Sequence, residues 1–241
     1  MFDIRTTVDD YISIVLTHEC NRNCPFCVDK YHGRKEYISL EHVKKAIEFA
    51  KNTGTIKTFL LVGGEPTLHP QVIEITKMIK DAGFTTVMTT NYSRPSIVKA
   101  LDKYIDSFNI SFYNQSKLPD QKDFTADLTL STLLYKGRID SKEKLDQFIS
   151  KYSSKYHLKF ATLTVCNDWT QQHLCSNWLD EIDAQKVVLF NVIEGLIYRN
   201  TVIGRNDKIL NPTPKHSYKC QVDGLINQSW IRPNIIDQNT R

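Results

Sequence analysis

The chain has 241 residues, of which 41% are hydrophobic and 24% are charged, an ordinary composition for one globular domain. Its formal net charge of +4 comes without a dense block of Lys or Arg, which argues against nucleic acid as a partner. No apolar run approaches the roughly 18 residues of a membrane span, and the first residues lack the apolar core of a signal peptide, so we expect a cytoplasmic protein with no membrane partner.

The first half of the chain is predicted to alternate between strands and helices. Residues 11–16 form a nearly continuous apolar run, as expected of a strand that is buried on both faces. Ser39 is the expected N-cap of an amphipathic helix that runs to about Asn52 and is ended by Gly54. The next elements are predicted as a strand over 58–62, a helix over 72–82 with Gly83 as its C-cap, a strand over 85–90, a helix from 95 to about 104 and a strand over 107–113.

The same alternation continues to residue 165. The connection over 114–126 is polar and contains at most a short helix. It is followed by a strand over 127–134, a helix capped by Ser141 that runs to about residue 152, and a strand over 157–165. Six strand–helix units of this kind predict a parallel sheet with helices packed outside it.

The pattern changes after residue 165. Residues 171–182 are predicted to be helical, residues 186–198 are strongly β, and residues 196–203 are predicted to pair back as a hairpin. Asn-Pro-Thr-Pro at 211–214 marks a turn or linker, and a second small hairpin is predicted from Cys220 onwards. We therefore predict two parts, 1–165 and 166–241, the second being an extension with β-hairpins that covers the substrate.

Three of the six cysteines, Cys20, Cys24 and Cys27, follow the first strand directly in the spacing C-x3-C-x2-C. Three neighbouring cysteines cannot all pair, so a disulfide interpretation fits poorly, and in a reducing compartment clustered cysteines are more often metal ligands. A structural zinc site and an iron–sulfur cube each take four protein ligands, so three cysteines on a cube would leave one iron open. Structural zinc and buried free thiols remain alternatives on spacing alone.

The other three cysteines, Cys166, Cys175 and Cys220, are nine and 45 residues apart and have no metal-binding signature. Buried thiols are the preferred interpretation, with ligands of a second cluster as the alternative.

A second motif, Gly63-Gly64-Glu65-Pro66, follows the second predicted strand. Backbone at a glycine can approach a ligand closely, and strand-end carbonyls together with a carboxylate can accept hydrogen bonds from an ammonium group. A plain tight turn is the alternative for this motif.

The cysteine spacing, with Phe26 in the position before the third cysteine, resembles the radical S-adenosylmethionine (SAM) family, and so does the Gly63–Pro66 motif after strand two. The resemblance covers roughly residues 8–165 and is nearest to the molybdenum-cofactor cyclase-like and peptide-modifying branch, with a reduced C-terminal module. It implies an α/β fold, a partial (β/α)6 TIM-like barrel with a small β-rich extension. It also implies a [4Fe–4S] cluster on the three cysteines, SAM on the open iron, and recognition of the SAM amino group by Gly63, Gly64, Glu65 and Pro66.

The resemblance suggests further SAM contacts at strand ends. Ser111 stands where cyclase-like relatives often have serine, whereas Ser131 stands where they usually have asparagine. Asn91 resembles the family's Thr-Asn-Gly, with Tyr92 in place of the glycine. Lys136 or Arg138 is expected to pair with the SAM carboxylate. Ordinary strand-end polar residues are the alternative for each.

We expect an enzyme of the oxidoreductase or rearrangement type. The family implies that a reduced cluster cleaves SAM to methionine and a 5′-deoxyadenosyl radical, which abstracts hydrogen from a small molecule or a peptide. An electron donor such as flavodoxin or ferredoxin is then required. The alternatives are an activase that installs a radical on a partner protein, and a non-catalytic iron–sulfur or zinc binding module. The late β segment offers candidate substrate contacts: Glu194, Tyr198, Arg199 and Arg205.

Overall fold

The computed structural model describes residues 10–29, 31–113, 117–189, 193–209 and 217–227. The strands in this part of the chain are β1 (Asp10–Val15), β2 (Ile56–Val62), β3 (Thr85–Thr90), β4 (Ser107–Ser111), β5 (Asp127–Leu134), β6 (His157–Thr162), β7 (Gln185–Leu189), β8 (Ile193–Tyr198), β9 (Thr201–Ile209), β10 (Ser217–Cys220) and β11 (Ile226–Asn227). The helices are α1 (Leu40–Thr53), α2 (Val72–Asp81), α3 (Pro95–Leu101), α4 (Lys142–Tyr152) and α5 (Asp168–His173), with 3-10 turns at Pro66–Leu68, Gln121–Asp123 and Asn177–Asp180.

All described strands belong to one sheet in the order β11-β10-β1-β2-β3-β4-β5-β6-β9-β8-β7. Strands β10 through β9 in this order are parallel to their neighbours, and only the outer pairs, β11 with β10 and β7 with β8 with β9, are antiparallel. The α/β fold with six parallel barrel strands and a C-terminal β extension is therefore confirmed. The division at residue 165 stays a prediction, because strands from the second part extend the first part's sheet at both sides.

The hydrophobic core lies between the sheet and its helices. Ile12 and Ile14 of β1, Phe59 and Leu61 of β2 and Phe108 of β4 are fully buried and belong to this core. Because parallel strands end at the same edge of a sheet, polar residues at their carboxyl ends are brought together there.

Helix α1 shows how local sequence signals fix the element boundaries. The Ser39 hydroxyl accepts a hydrogen bond from the His42 backbone N–H, and Gly54 ends the helix in the left-handed conformation at φ 74°. The buried side of the helix consists of Val43, Ala46, Ile47 and Ala50. Both predicted caps and the predicted apolar stripe are confirmed.

Several predicted boundaries were wrong by a few residues. The third helix ends at Leu101, strands four and six end at Ser111 and Thr162, and helix α2 is capped by Ala82 rather than Gly83. The helix predicted over 171–182 is instead α5 followed by a 3-10 turn.

The early start of α5 has a local cause. Asn167 and Thr170 form a reciprocal capping box that begins the helix before residue 171, and Leu174 leaves it with extended backbone at ψ 129°. None of the helices in the described residues is long and apolar enough to cross a membrane.

The late β segment consists of two strands, β7 and β8, and β8 returns through a two-residue turn into β9. Arg199 and Asn200 adopt positive φ of 47° and 60°, as a tight hairpin turn requires. The hairpin predicted over 196–203 is thus confirmed. A hairpin of β10 with β11 is also present, but it starts at Ser217 rather than at Cys220, and the part predicted beyond residue 227 lies outside the described residues. The predicted turn at 211–214 lies outside the described residues.

Candidate active site

A cavity of about 300 Å³ opens at the carboxyl ends of β2 to β5. Its walls are the loop after β1, here called the cluster loop (residues 17–29), and the ends of these four strands. The predicted site residues that line it are Cys20, Cys24, Phe26, Cys27, Gly63, Gly64, Glu65, Asn91, Ser111 and Ser131. Pro66 and Lys136 do not line it. Pro66 instead begins the 3-10 turn that follows the glycine motif.

The three thiols of the cluster loop are half-buried and close enough to influence one another. Burial raises the pKa of Cys20, Cys24 and Cys27, and for Cys24 the neighbouring Cys20 and Cys27 thiolates raise the pKa further. Three adjacent thiolates therefore need a compensating cation. A bound iron site would supply that charge and hold the sulfurs deprotonated.

The three thiols of the cluster loop also share one cavity. Among the described residues, no group of three His, Cys, Asp or Glu side chains lies close enough together to hold a single metal ion. A cubane cluster binds each cysteine through a different iron, so it needs thiols spaced around a cavity. Cys20, Cys24 and Cys27 all face the same cavity, so the residues present fit the group.

The glycine pair packs directly against the cluster loop. The backbone N–H of Gly64 donates to Thr17 O at 2.7 Å, and that of Glu65 donates to Glu19 O at 2.8 Å. A Cβ on Gly63 would lie 2.3 Å from Thr17 O, and one on Gly64 would lie 2.2 Å from Glu19 O. Glycine is thus required here by the approach of the cluster loop itself. Carbonyl contacts from this motif to a SAM amino group stay a prediction.

The Glu65 carboxylate is fully buried and receives four internal hydrogen bonds. Its Oε1 accepts from the Thr67 backbone N–H, the Thr67 hydroxyl and the Thr90 hydroxyl, and its Oε2 accepts from the Asn91 backbone N–H at 2.7 Å. The side chain therefore ties the end of β2 to the end of β3. Oε1 thus receives three donors and Oε2 receives one.

Asn91 joins the end of β3 to the cluster loop. Its Nδ2 donates to Asn21 Oδ1 at 3.0 Å and lies 4.0 Å from Cys20 Sγ. Tyr92, which replaces the family's glycine, has φ 57° and so keeps the left-handed backbone that glycine favours. The departure from Thr-Asn-Gly is therefore conservative in backbone shape.

Ser111, the last residue of β4, is paired in register with Ser131 within β5, and both residues line the cavity. Of the two alternative cations, Arg138 lines the cavity and Lys136 does not. The Arg138 guanidinium donates to Phe112 O at 3.1 Å and to Tyr113 O. Arg22, which the sequence analysis did not single out, also lines the cavity and donates to Asn91 O at 3.0 Å.

The substrate-facing role expected of Arg205 is wrong. Its side chain is 1% exposed and forms ion pairs with Asp180 and Asp207 at 3.0 and 2.9 Å. Burial alone would raise the pKa of Asp207, but hydrogen bonds from Arg205, Thr162 and Ser176 outweigh burial and lower it to about 2. This network fastens β9 to the end of β6.

Tyr198, another of these late candidates, is also occupied elsewhere. It is buried, and its hydroxyl donates to Asp146 on α4 at 2.9 Å.

The remaining cysteines lie in dissimilar surroundings. Cys220 is fully buried in the hydrophobic core, where burial raises its pKa to about 12, so the buried-thiol interpretation is confirmed for it. Cys175 is half-buried and Cys166 is exposed beside the cluster loop.

Comparison with known proteins agrees with this geometry. Residues 14–113 match the Radical SAM superfamily. A Methanocaldococcus jannaschii protein named as a glycyl-radical enzyme activating enzyme is 27% identical over 208 residues, which cover 85% of this chain and 72% of that protein. A GTP 3′,8-cyclase of Saccharolobus islandicus is 40% identical over 82 residues, 33% of this chain and 26% of the cyclase.

Solved structures of Streptococcus suis SuiB share the fold. The complex of SuiB with its precursor peptide SuiA has a TM-score of 0.56 at 12% identity, over 91% of this chain and 59% of SuiB. The complex of SuiB with SAM has a TM-score of 0.51 at 16% identity, over 66% of this chain and 42% of SuiB. The chain thus spans about a quarter of the cyclase and about three-fifths of SuiB.

Proposed function

We propose that this chain, whose residues 14–113 match the Radical SAM superfamily, is an enzyme that uses a [4Fe–4S] cluster and SAM to abstract hydrogen from a peptide or a small molecule. One observation supports this above all others. The thiols of Cys20, Cys24 and Cys27 face the same cavity as the glycine-containing end of β2. The thiols that would bind a cluster and the backbone carbonyl groups that would bind the SAM amino group therefore line the same cavity.

The residues around the cavity have proposed roles in binding and positioning. When bound, the cluster and SAM together supply a 5′-deoxyadenosyl radical, formed by one-electron cleavage of the sulfonium bond. Cys20, Cys24 and Cys27 hold the cluster and leave one position for SAM. The carbonyl groups near Gly63 and Gly64 accept from the SAM amino group, with Glu65 and Asn91 fixing that strand end.

The far wall of the cavity positions the rest of SAM and excludes water. Ser111 and Ser131 offer hydroxyl groups from paired positions of the adjacent strands β4 and β5, and Arg138 offers a cation for a carboxylate. Phe26 packs edge-on to Tyr113, with ring centroids 5.3 Å apart. An aromatic wall beside a radical matters because water exclusion and positioning limit which C–H bond reacts.

The proposed substrate class and cellular setting follow from the shared fold and from the clustered thiols. SuiB has been solved with a precursor peptide, and this chain shares its fold, so a peptide substrate is favoured over a small molecule. Residues 166–241 would cover the bound substrate, and the electron would come from a flavodoxin or a ferredoxin. Clustered thiols require reducing conditions, which fits the cytoplasm.

A second candidate function is activation of a partner protein by radical transfer. The similarity to the Methanocaldococcus jannaschii protein favours it, because that match extends over 72% of the relative's length. The two functions differ in their product. An activase leaves a persistent radical on a protein, whereas the primary function leaves a modified peptide or small molecule.

Spectroscopy of the cluster tests the proposed function. The protein is purified without oxygen, loaded with iron and sulfide, reduced with dithionite and titrated with SAM while its electron paramagnetic resonance (EPR) spectrum is recorded. We expect a cluster signal that changes shape on SAM addition, is lost in Cys24→Ala, and persists in the matched control Cys175→Ala. A loaded cluster whose EPR spectrum does not change on SAM addition would favour a non-catalytic iron–sulfur binding module. A long-lived organic radical on an added partner protein would favour the activase.

A further inference from the structure

The segment that follows β6 is hydrogen-bonded to the cluster loop at two successive points. The Asn167 side-chain Nδ2 donates to Pro25 O at 2.9 Å, and the Cys166 thiol lies 3.7 Å from Cys27 O. Cys166 is 139 positions away in sequence from Cys27, and Asn167 is 142 positions away from Pro25. The cluster loop is thus fastened from outside by a part of the chain that follows the sixth strand.

Asn167 performs two tasks with the two ends of one amide group. Its Oδ1 accepts from the Thr170 backbone N–H at 2.8 Å and so caps α5, which orients the Nδ2 towards Pro25. The Thr170 hydroxyl accepts in return from the Asn167 backbone N–H at 3.0 Å, which completes the capping box. The helix cap therefore fixes the direction in which the amide donates to the cluster loop.

The same short helix also contacts the aromatic residue of the cluster loop. The Trp169 ring lies 6.1 Å from Phe26 and 5.5 Å from Tyr135, both of which line the cavity. His173 stacks on Trp169 at 3.9 Å, and its carbonyl oxygen accepts from the Lys136 backbone N–H at 2.9 Å. Helix α5 is therefore held at both ends, by the cluster loop and by the turn after β5.

We propose that Asn167 is a positioning residue that holds the Cys24–Cys27 turn of the cluster loop in place through its hydrogen bond to Pro25 O. Asn167 does not line the cavity, and it acts through the backbone that carries Cys24 and Cys27. Backbone hydrogen bonds around a metal site orient its ligands and tune the site, so loosening this one should loosen the thiols. The role in cluster retention rests on the proposed function, whereas the role in ordering the thiols does not.

The test separates the two ends of the amide. Asn167→Ser and Asn167→Asp each keep a side-chain oxygen that can cap α5, but neither can donate to Pro25 O as the amide does. Ser141→Ala is the matched control, because it removes the cap of α4, whose side chain accepts from the Lys144 backbone N–H, at a helix outside the candidate site.

Two measurements are made on each variant. In cluster-free protein, the reaction of the thiols with Ellman's reagent should be about tenfold faster at Cys24 and Cys27 in both Asn167 variants, with the sites assigned by mass spectrometry. In loaded protein, iron release to a chelator should accelerate by about the same factor. The thermal unfolding midpoint should fall at least as far in Ser141→Ala as in Asn167→Ser, because the latter keeps its helix cap and loses only the hydrogen bond to Pro25 O.

Thiol reactivity and iron release equal to the wild-type values in both Asn167 variants would overturn the proposal. Acceleration in Ser141→Ala as large as in Asn167→Ser would also overturn it, since that would indicate general loosening. If the wild type takes up no iron, the proposed function fails, while the thiol measurement in cluster-free protein still decides the positioning role.

Discussion

Replacing the buried Glu65 carboxylate by an amide should weaken the whole site without changing its shape. In Glu65→Gln one of the two oxygens becomes an NH2 group. In the wild type the Asn91 backbone N–H donates to Oε2 at 2.7 Å. If the new NH2 group takes the Oε2 position, it faces this N–H, and two donors oppose each other. If the amide turns over, the NH2 group faces the Thr67 backbone N–H instead.

Either orientation leaves a buried backbone donor unpaired. A hydrogen bond to a charged group contributes about 1.5–3 kcal/mol, and an unsatisfied buried donor costs about 1–3 kcal/mol, so we expect a loss of about 3 kcal/mol. For a chain of this size, that loss corresponds to a fall in Tm of about 6–12 °C.

Urea unfolding of cluster-free protein measures this loss directly, because no cofactor enters the comparison. Glu74→Gln on the exposed side of α2 is the matched control, since its carboxylate accepts a hydrogen bond from the neighbouring Gln71 side chain at 3.1 Å. The control should stay within about 0.5 kcal/mol of the wild type. A Glu65→Gln variant that is equally stable would refute the inference that this carboxylate joins β2 to β3.

Three further outcomes follow from the packing and charges of single residues. Gly64→Ala should abolish iron uptake, measured by iron and sulfide analysis, because its Cβ would lie 2.2 Å from Glu19 O, whereas Gly137→Ala, with positive φ but no atom within 4 Å, should retain it. The pKa of Asp207 is lowered from 3.8 to about 2, so about 2 kcal/mol of the unfolding free energy present above pH 3.8 should be lost as the pH falls to about 2. Urea unfolding measured as a function of pH should show this loss in the wild type but not in Asp207→Asn. Burial lowers the pKa of Lys219 from 10.5 to about 8, so the folded state loses this proton at a lower pH than the unfolded state does. The unfolding free energy should therefore rise by about 3 kcal/mol between pH 8 and 10.5, and Lys219→Met should remove this rise.

Local sequence patterns were sufficient for the barrel strands and for several helix caps, whereas the three cysteines as cluster ligands stay a prediction. Strands β3 and β5 alternate strictly between buried and half-exposed residues, and their predicted bounds were confirmed. The helix caps Ser39 and Ser141 were likewise identified from residues next to the helices that they begin. The cysteine spacing lies within eight residues, so its geometry is a property of one loop.

Contacts between parts of the chain that are distant in sequence could not be predicted from local sequence patterns. Strand β10 pairs in parallel with β1, with Tyr11 opposite Ser217, and no local pattern specifies that pairing. The contacts of Asn167 with Pro25 and of Glu65 with Asn91 also join loops that only the folded sheet brings together.

The different surroundings of the two candidate cations, Lys136 and Arg138, are connected with the backbone angle of the glycine between them. Gly137 stands between Lys136 and Arg138 with φ 88°, a left-handed conformation that reverses the chain direction. As a result Arg138 reaches back to the carbonyl groups that follow β4, while Lys136 remains exposed. Two basic residues two positions apart therefore have different surroundings.

The most direct test of the proposed chemistry is formation of 5′-deoxyadenosine from SAM. Protein loaded with iron and sulfide under anaerobic conditions is mixed with SAM and dithionite, and the product is quantified by liquid chromatography with mass spectrometry. The wild type and Cys175→Ala should both form 5′-deoxyadenosine and methionine, whereas Cys24→Ala should form neither above background. A wild-type protein that carries a full cluster and leaves SAM intact would contradict the proposal that the three thiols and the glycine-containing strand end act as one catalytic site.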